Sequence, residues 1–375
     1  MMAESIFWTA FGLLMYVFVG YPLGMWILAA LAGRKTGCDG ACSPSVSIIL
    51  SVYNEETVIE EKITNFLALD YPADKLEILI VSDCCSDRTN ELVRRYQSGR
   101  LRLLVQAERS GKTCNLNRGV VEASGEILVF TDANAMFDRD AVSKLVRHFA
   151  DPQVGLVSGK SVYADASGGV TGGGAYRRYE DFIKEAESRL GGIIGADGAI
   201  YALRKAYYTQ LPLQYINDFI HTVQVVLAGG RAVSDDEAIC REEVAETGSG
   251  ELRRQTRIMS QSWLIFLSQF GLLLKSGKLL YLWQFVSHKF LRWLTIPVLV
   301  TLFVANLLLL TEGLLYRAVF AGQILFVAGI IAGSRAKGGL PRVPYLFTLL
   351  HYAALVGLFK LWSGNVYTTW NPRNN

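Results

Sequence analysis

The chain has 375 residues, of which 51% are hydrophobic and 19% charged, against roughly 25% charged residues in soluble domains. With a mean hydropathy of +0.26, this composition excludes an intrinsically disordered chain and argues against an ordinary soluble enzyme. The 37 Lys and Arg against 34 Asp and Glu give a net charge of +3, too balanced for nucleic-acid binding by bulk charge. Six cysteines in this length exclude a disulfide scaffold.

The first element is a long uncharged segment, residues 5–33. Its 29 residues exceed the roughly 20 that a membrane span requires, even with Pro22 inside it. A signal peptide is the alternative, but its apolar region usually has about 7–15 residues, and no small-residue cleavage site stands out before Arg34. We therefore predict that residues 1–34 form an N-terminal transmembrane helix.

Short apolar segments then alternate with amphipathic ones. The predicted strands cover residues 46–52, 76–82, 100–106 and 126–131. The predicted helices cover residues 57–69, 89–97, 112–123 and 140–149. This alternation predicts an α/β domain over residues 35–260 with a doubly wound, mostly parallel sheet.

Polar residues directly follow three of these strands, which predicts one ligand site, because ligands of such sheets bind at the carboxyl ends of the strands. These residues are Tyr53, Asn54, Glu55, Asp83, Asp132 and Asn134. No G-x-G-x-x-G follows a strand, and Gly111-Lys112-Thr113 matches only the end of a P-loop motif. Dinucleotide and P-loop sites therefore have little support.

Two of these residues, Asp132 and Asn134, place side-chain oxygens near one point. Oxygen ligands suit Mg²⁺ or Mn²⁺, which typically keep waters and bridge substrate phosphates. The alternative is a turn or helix cap before residues 140–149, where Asp and Asn are also favoured. Asp83 could likewise bind a ribose or base, or cap a helix. Lys112 could offset diphosphate charge, or be solvated.

Candidate residues outside the strand ends also have two interpretations. Asp218 precedes an apolar helix predicted at residues 220–227, as an N-cap or as a general base for an acceptor hydroxyl. Arg254 and Arg257 lie just before the next apolar stretch and could bind phosphate or face a membrane surface.

The C-terminal part is again rich in apolar residues. Residues 261–290 are interrupted by Gln269, Lys275 and Lys278, which predicts amphipathic interfacial helices, with a buried core helix as the alternative. Residues 291–375 form a membrane region with two or three predicted transmembrane helices. Its uncharged runs are residues 293–311, 318–334 and 343–359. The last two could instead be a re-entrant or interfacial pair.

Positive charges beside the α/β domain predict its side of the membrane. They are Arg34, Lys35, His288, Lys289, Arg292, Arg335, Lys337 and Arg342. By the positive-inside rule, we expect a multi-pass protein of the cell inner membrane with a cytoplasmic α/β domain. Lys360 and Arg373 flank the last run, so the side of the C-terminus stays open. A reducing compartment agrees with free thiols at Cys84, Cys85, Cys114 and Cys240.

Seven motifs in this order resemble the membrane-embedded family 2 glycosyltransferases, which are related to cellulose, chitin and hyaluronan synthases and to bacterial exopolysaccharide glycosyltransferases. The motifs begin at Tyr53, Ser82, Gly111, Phe130, Gly195, Ile216 and Arg254. The resemblance covers about residues 44–260 and the flanking helices. It implies a GT-A fold, a nucleotide-diphosphate sugar donor, Mg²⁺ or Mn²⁺, and inversion at the anomeric carbon.

The resemblance also implies a role for each matching residue. The residues that would bind the nucleotide sugar are Tyr53, Asn54, Glu55, Asp83, Lys112, Asp132, Arg254 and Arg257. Asp132 and Asn134 would hold the metal, and Asp218 would be the catalytic base. Asp197 could touch the acceptor, and residues 172–174 suggest a mobile loop.

Several positions depart from the family pattern. Asn134 replaces the second aspartate of the usual D-x-D, Asn217 replaces the first acid of the catalytic pair, and Ile258 replaces the Trp of Q-x-x-R-W. The implied activity is transfer to a lipid-linked or polysaccharide acceptor, in the synthesis of an exopolysaccharide or cell-surface glycan. The alternatives are a processive synthase that extrudes its product and a non-catalytic nucleotide-sugar-binding subunit. Membrane lipids, a second copy of the chain and other biosynthetic subunits are candidate partners, whereas nucleic acid is not.

Overall fold

The structure is a computed structural model. It describes residues 1–34, 37, 40, 42–164, 174–243, 248–336, 339 and 342–364. Of the sequence features discussed above, residues 172 and 173 of the expected mobile loop and the charged residues Lys35, Lys337 and Arg373 lie outside these ranges.

Eight strands form one sheet in the described part of the chain. They are β1 Val46–Val52, β2 Leu76–Ser82, β3 Leu101–Val105, β4 Ile127–Thr131, β5 Met136–Phe137, β6 Val154–Ala164, β7 Ile200–Arg204 and β8 Arg231–Glu243. Their order across the sheet is β3-β2-β1-β4-β7-β6-β8-β5. β1 pairs in parallel with both β2 and β4, and β2 pairs in parallel with β3. The four predicted strands therefore form the parallel half.

The other half of the sheet was not predicted from the sequence. β7 runs antiparallel to both β4 and β6, whereas β8 is parallel to β6 and antiparallel to β5. Parallel pairings still predominate, which confirms the predicted fold class. β8, which covers Arg231–Glu243, was not predicted because it is rich in charged residues. Such residues are depleted in most strands.

Helices cover both faces of the sheet and extend beyond it. α1 Met2–Met15 and α2 Tyr21–Ala32 are joined by a π-helical turn at Tyr16–Gly20. The other helices are α3 Ile59–Leu67, α4 Thr89–Arg95, α5 Lys112–Glu122, α6 Ala141–Val146, α7 Gly174–Arg189, α8 Asn217–Leu227, α9 Gly248–Lys275, α10 Leu279–Gln284, α11 Leu291–Trp293, α12 Thr295–Leu307, α13 Leu314–Arg335 and α14 Arg342–Trp362. One buried cluster packs α3, α4 and α6 on the sheet, and a second packs α5, α8 and α9 on its opposite face. The domain is therefore doubly wound, as predicted.

Three helical segments of the described chain are long and apolar enough to cross a bilayer: Met2–Ala32, Leu314–Arg335 and Arg342–Trp362. A fourth candidate is the pair Leu279–Trp293 and Thr295–Leu307, which is bent by 59°. Residues 293–311 were expected to form one span. In the structure, the helix Thr295–Leu307 in this run instead follows the helical segment Leu279–Trp293 after a sharp bend. Pro297 explains the break, because it cannot donate a hydrogen bond to the carbonyl of Trp293.

A single helix, α9, joins the α/β domain to the membrane helices. The domain boundary expected between residues 260 and 261 lies within it. Trp263 of α9 is buried and donates an Nε1 hydrogen bond of 2.9 Å to the carbonyl oxygen of Ala354 in α14. Farther along, Leu267 and Leu274 expose more than half of their surface, whereas Phe266 and Leu273 are buried. The interfacial position of this segment stays a prediction.

Candidate active site

The parallel half of the sheet brings the predicted strand-end residues together. β1 lies between β2 and β4, so the segments after these three strands share one edge. The amide of Asp83 donates a hydrogen bond of 2.9 Å to the carbonyl oxygen of Val52. The edge predicted as the ligand site is therefore formed by neighbouring loops.

Asp83 organises the turn before α5. Its side chain is buried and accepts hydrogen bonds from the amides of Ser110 and Gly111 at 2.8 and 3.0 Å. Arg109 in the same turn places its guanidinium 3.8 Å from the centre of the Tyr53 ring and its Nε 4.0 Å from an Asp83 carboxylate oxygen. The sequence analysis did not predict Arg109 as a site residue. Its positive charge was the only signal in the sequence that could have indicated it. Tyr53 and Arg109 together offer a flat cationic surface, which suits an aromatic base.

The loop after β1 is held by the loop after β2. Asn54 has a φ of +54°, a conformation that Asn tolerates better than most residues, and its Oδ1 accepts a 2.9 Å hydrogen bond from the amide of Ser86. The amide of Glu55 donates a 2.8 Å bond to Thr89 Oγ1, and the Glu55 side chain is buried. Asn54 and Glu55 thus fix the shape of the edge.

Asp132 lies in a cluster of positive side chains. Lys112 Nζ is 2.5 Å from Asp132 Oδ1. Burial acts to raise the pKa of Asp132, but the charges of Lys112, Arg254 and Arg257 lower it below the usual value. The structure therefore brings both motif arginines of α9 into electrostatic range of the β4 end. A site with several cations around one carboxylate is suited to a polyanionic ligand.

Asn134 is exposed two positions beyond Asp132. The described residues contain no group of three or more His, Cys, Asp or Glu side chains that could hold a metal. Asp132 and Asn134 can supply two oxygen ligands, and Mg²⁺ usually completes its shell with waters and phosphate oxygens. The donor set fits an ion shared with a bound diphosphate.

Lys62, which the sequence analysis did not single out, stabilises the loop that carries Asp132. It is fully buried, and its Nζ donates to Thr131 Oγ1 at 3.2 Å and to the carbonyl oxygen of Ala135. Its Nζ also lies 4.5 and 4.3 Å from the ring centres of Phe66 and Phe137. Lys62 therefore ties the start of the loop to its end.

Asp218 lies in the first turn of α8, because this helix begins at Asn217 rather than at the predicted residue 220. Asp218 Oδ1 is buried and has no hydrogen-bond partner among the described residues. Burial raises the pKa of Asp218 to about 6; Lys112 opposes the rise, and the negative charges of Asp132 and Asp197 add to it. Asp132 and Asp218 are thus coupled, and Lys112 acts on both.

Asn217, which departs from the family pattern, anchors the start of α8. Its Nδ2 donates a 2.6 Å hydrogen bond to Tyr201 Oη, which in turn is 3.0 Å from His221 Nδ1. Since the Tyr201 oxygen accepts from Asn217, its proton is directed to His221. Burial lowers the pKa of His221 to about 3, so the ring is a neutral acceptor. An amide at position 217 therefore completes a buried hydrogen-bond chain that fixes the turn carrying Asp218.

The Asp197 carboxylate accepts hydrogen bonds from neighbouring residues. Its Oδ2 accepts hydrogen bonds from the amide and the hydroxyl of Ser161 at 2.8 and 2.6 Å, and its Oδ1 accepts from the amide of Ala199 at 3.2 Å. The neighbouring amide of Ala196 donates to the carbonyl oxygen of Asp218 at 3.1 Å. Asp197 therefore shapes the loop beside Asp218, and its contact with an acceptor stays a prediction.

Gly198 leaves room for the Asp218 carboxylate. A Cβ at position 198 would lie 2.7 Å from Asp218 Oδ2, so we expect Gly198→Ala to displace this carboxylate and to lower kcat about 100-fold for the sugar transfer that the motif resemblance implies. Nucleoside diphosphate affinity, measured by calorimetry, should change little. Gly271→Ala in α9 is the matched control, because no atom lies within 4 Å of its added Cβ. Normal turnover by Gly198→Ala would contradict the assigned position of Asp218.

Comparison with known proteins agrees with this site. Residues 47–209 match the family model "Glycosyl transferase family 2". Poly-beta-1,6-N-acetyl-D-glucosamine synthase of Staphylococcus aureus strain COL is 26% identical over 263 residues, covering 68% of this chain and 63% of that protein. The synthase of the same name from Staphylococcus epidermidis is 26% identical over 264 residues, with the same coverage. The chain thus spans about 63% of the length of these relatives.

A solved structure is similar over almost the whole chain. It is a mannosyltransferase from Pyrobaculum calidifontis, determined in complex with GDP-Man and Mn²⁺, with a TM-score of 0.74 and 25% sequence identity. The similarity covers 96% of this chain and 99% of that one, so it includes the membrane helices as well as the sheet. Residues 47–209 therefore resemble the family 2 glycosyltransferases, and the chain shares the GT-A fold and contains helices long and apolar enough to cross a membrane.

Proposed function

We propose that this protein is an inverting glycosyltransferase of polysaccharide synthesis. It moves a sugar from a nucleotide-diphosphate sugar to a hydroxyl of a lipid-linked or glycan acceptor at the inner face of the membrane. The observation that carries the proposal is the coupling of Asp132 and Asp218 across Lys112. One carboxylate lies among cations suited to a diphosphate, and the other has a buried oxygen, Asp218 Oδ1, that has no hydrogen-bond partner among the described residues.

The donor would bind along the edge formed by the β1, β2 and β4 ends. Tyr53, Asn54, Glu55 and Asp83 lie where a nucleoside would bind. Lys112, Arg254 and Arg257 would bind the diphosphate, since all three lower the pKa of Asp132 and so lie near its carboxylate. Charge-assisted hydrogen bonds from such groups are about twice as strong as neutral ones.

The site also suits Mg²⁺ or Mn²⁺. Asp132 and Asn134 would hold the ion, whose charge offsets that of the diphosphate leaving group. The similar mannosyltransferase was solved with Mn²⁺. Lys112, already 2.5 Å from Asp132, adds a second positive charge at the same point, so that diphosphate release is stabilised from two sides.

Asp218 would act on the acceptor. Its carboxylate removes the proton from the acceptor hydroxyl as the hydroxyl oxygen bonds to the anomeric carbon. The bond between that carbon and the diphosphate oxygen breaks on the opposite side, which inverts the configuration. The buried Asn217–Tyr201–His221 chain keeps the turn of Asp218 in place.

The activity should depend on pH through Asp218. Its pKa of about 6, compared with 3.8 for an ordinary aspartate, means that the base becomes charged as pH rises through 6. We expect kcat/KM to increase through pH 6 and to level off near pH 7, because this quantity reports groups of the free enzyme. A profile with its acid limb near pH 4, or with none between pH 5 and 7, would contradict Asp218 as the base.

The donor is best identified by a screen. Purified protein in detergent is incubated with Mn²⁺ and single nucleotide sugars, among them GDP-mannose and UDP-N-acetylglucosamine, and nucleoside diphosphate release is measured. Release from one donor that depends on Asp132 and Asp218 supports an enzyme. Binding without release from any donor, with or without added acceptor, would favour the non-catalytic subunit instead.

A processive synthase is the second candidate, because the relatives from Staphylococcus are named as polymer synthases. The position of the family's Trp is Ile258 here, and Ile258 lines a cavity beside Asp218. Product length separates the candidates: a ladder of products indicates a synthase, and one added sugar indicates a single-addition transferase.

A further inference from the structure

Residues 208–216 form the segment that leads into α8 and Asp218. They follow a short 3₁₀ turn, Lys205–Tyr207, and none of them lies in a helix or strand. Leu211 in this segment is buried, so its backbone groups need hydrogen-bond partners from elsewhere in the chain. The position of Asp218 therefore depends on the side chains that hold this segment.

The side chain of Asn117 in α5 supplies these partners. Its Nδ2 donates a hydrogen bond of 2.8 Å to the carbonyl oxygen of Leu211, and its Oδ1 accepts one of 2.9 Å from the amide of Leu211. Tyr208 Oη donates a further bond of 2.5 Å to the same Oδ1. Asn117 is buried. It belongs to the motif that begins at Gly111, in which only Lys112 had been assigned a role.

Helix α5 also reaches the donor side of the site. Its first residue, Lys112, lies 2.5 Å from Asp132 Oδ1. The hydroxyl of the next residue, Thr113, donates a bond of 3.0 Å to the carbonyl oxygen of Tyr215. Thr113 and Asn117 lie four positions apart, which places them on one face of the helix. A single helix thus carries both the partner of Asp132 and the supports of the 208–216 segment.

A ring contact links the segment to α8 itself. The ring of Tyr208 lies 5.3 Å, centre to centre, from the ring of His221. His221 is the residue at which the buried Asn217–Tyr201–His221 chain ends. Because Asn117 fixes the hydroxyl of Tyr208, it also holds this ring against α8.

We propose that Asn117 is a positioning residue for the catalytic base. It holds the 208–216 segment on α5 and thereby fixes the distance between Asp218 and Asp132. This inference rests on the proposed function, since it concerns the base of the same reaction. Asn117 acts through Leu211 and Tyr208, so its loss should change turnover and not donor binding.

The test compares Asn117→Leu with Asn115→Leu on the same helix. Leucine has nearly the shape of asparagine but forms no side-chain hydrogen bonds. Asn115 is also buried, and it bonds to other elements: its Nδ2 donates to Ser51 Oγ at 2.9 Å, and its Oδ1 accepts from Gln106 Nε2 at 3.2 Å. Each variant leaves polar partners unpaired, so thermal unfolding should show a similar loss of stability in both.

Turnover should separate the two variants. We expect Asn117→Leu to lower kcat at least tenfold, because a displacement of about 1 Å at a reacting group can cost about 10²-fold. Its KM for the donor and its nucleoside diphosphate affinity should stay within about twofold. Asn115→Leu should keep kcat within about twofold. Equal kcat values in the two variants would overturn the inference.

The pH profile is a readout that a loss of stability alone does not move. Burial is the main cause of the raised pKa of Asp218, so a displaced and hydrated carboxylate should shift the acid limb of kcat/KM below pH 6 in Asn117→Leu. The charged groups that act on Asp218 are Lys112, Asp132, Asp197 and Lys289. Neither variant changes these groups. An acid limb that stays at pH 6 in Asn117→Leu would overturn the inference.

A stability measurement tests the same inference without any donor. Asp218→Asn should raise the Tm at pH 7.5, because the ionised carboxylate is costly in the fold. We expect this gain to be lost in the Asn117→Leu background and kept in the Asn115→Leu background. A gain of equal size in both backgrounds would overturn the inference. Failure of every donor in the screen would instead overturn the proposed function, and the Tm values would still decide whether Asn117 positions Asp218.

Discussion

Replacing Asp218 by Asn should abolish sugar transfer while nucleoside diphosphate binding is retained. The amide has nearly the same shape as the carboxylate but cannot accept the acceptor proton, and loss of a general base costs about 10²–10⁴-fold in rate. Initial rates with the donor found by the screen and calorimetry with the nucleoside diphosphate and Mn²⁺ measure the two effects. Transfer at more than a tenth of the normal rate would remove Asp218 from the mechanism.

The same variant should be more stable than the unmodified protein at neutral pH. The pKa of Asp218 is raised to about 6 in the fold, mainly by burial, so its ionised form is less favourable in the folded state than in the unfolded state. This cost is absent below pH 4 and complete above pH 6. We expect Asp218→Asn to raise the Tm by a few degrees at pH 7.5 but not at pH 4.

An exposed acid provides the control for this stability measurement. Asp74→Asn changes a carboxylate at the surface of the same domain and should leave both the Tm and the rate unchanged. A gain in Tm for Asp218→Asn that persists equally at pH 4 would show that packing, and not the buried charge, is responsible.

The second large effect is expected at the β4 end. Asp132→Asn should remove Mn²⁺-dependent binding of the nucleoside diphosphate and lower turnover about a thousandfold, because the ion and Lys112 both lose their carboxylate partner. Binding is measured by calorimetry with Mn²⁺ and with a chelator. Equal nucleotide affinity in Asp132→Asn and the unmodified protein would contradict the assignment of this site.

Position 134 offers the opposite change at the same site. Asn134→Asp adds a carboxylate at an exposed position two residues from Asp132, and divalent ions bind more tightly as the ligand charge increases. We expect the Mn²⁺ concentration that half-saturates nucleotide binding to fall several-fold in this variant. A rise in that concentration would mean that Asn134 does not face the ion.

The strand-end half of the site was predictable because it depends on local order in the chain. The apolar runs before Tyr53, Asp83 and Asp132 are buried parallel strands, and parallel strands place the residues that follow them at one edge. The motif resemblance then assigned Asp218 and Arg257 to that edge. This order of strands and motifs was enough to predict the fold class and to reveal the resemblance to family 2 glycosyltransferases.

The other half of the site depends on packing between residues that are far apart in the sequence. α9 is continuous from Gly248 to Lys275, so the motif arginines and the membrane-facing residues lie on one helix. Short sequence motifs do not reveal this continuity. The roles of Arg109 and Lys62 likewise depend on contacts with residues 56 and 73 positions away, at Tyr53 and Ala135.

By itself, the sequence determined the parallel strands, the polar residues at their ends and the long apolar helices, because each depends on the spacing of neighbouring residues. Only the tertiary structure decided that Lys112 pairs with Asp132 and lowers the pKa of Asp218, that Asn217 anchors α8, and that Lys289 shares a cavity with Asp218. The physical reason is that burial and charge coupling act through space. The pKa of Asp218 depends on groups that are tens of residues away along the chain and adjacent only after folding.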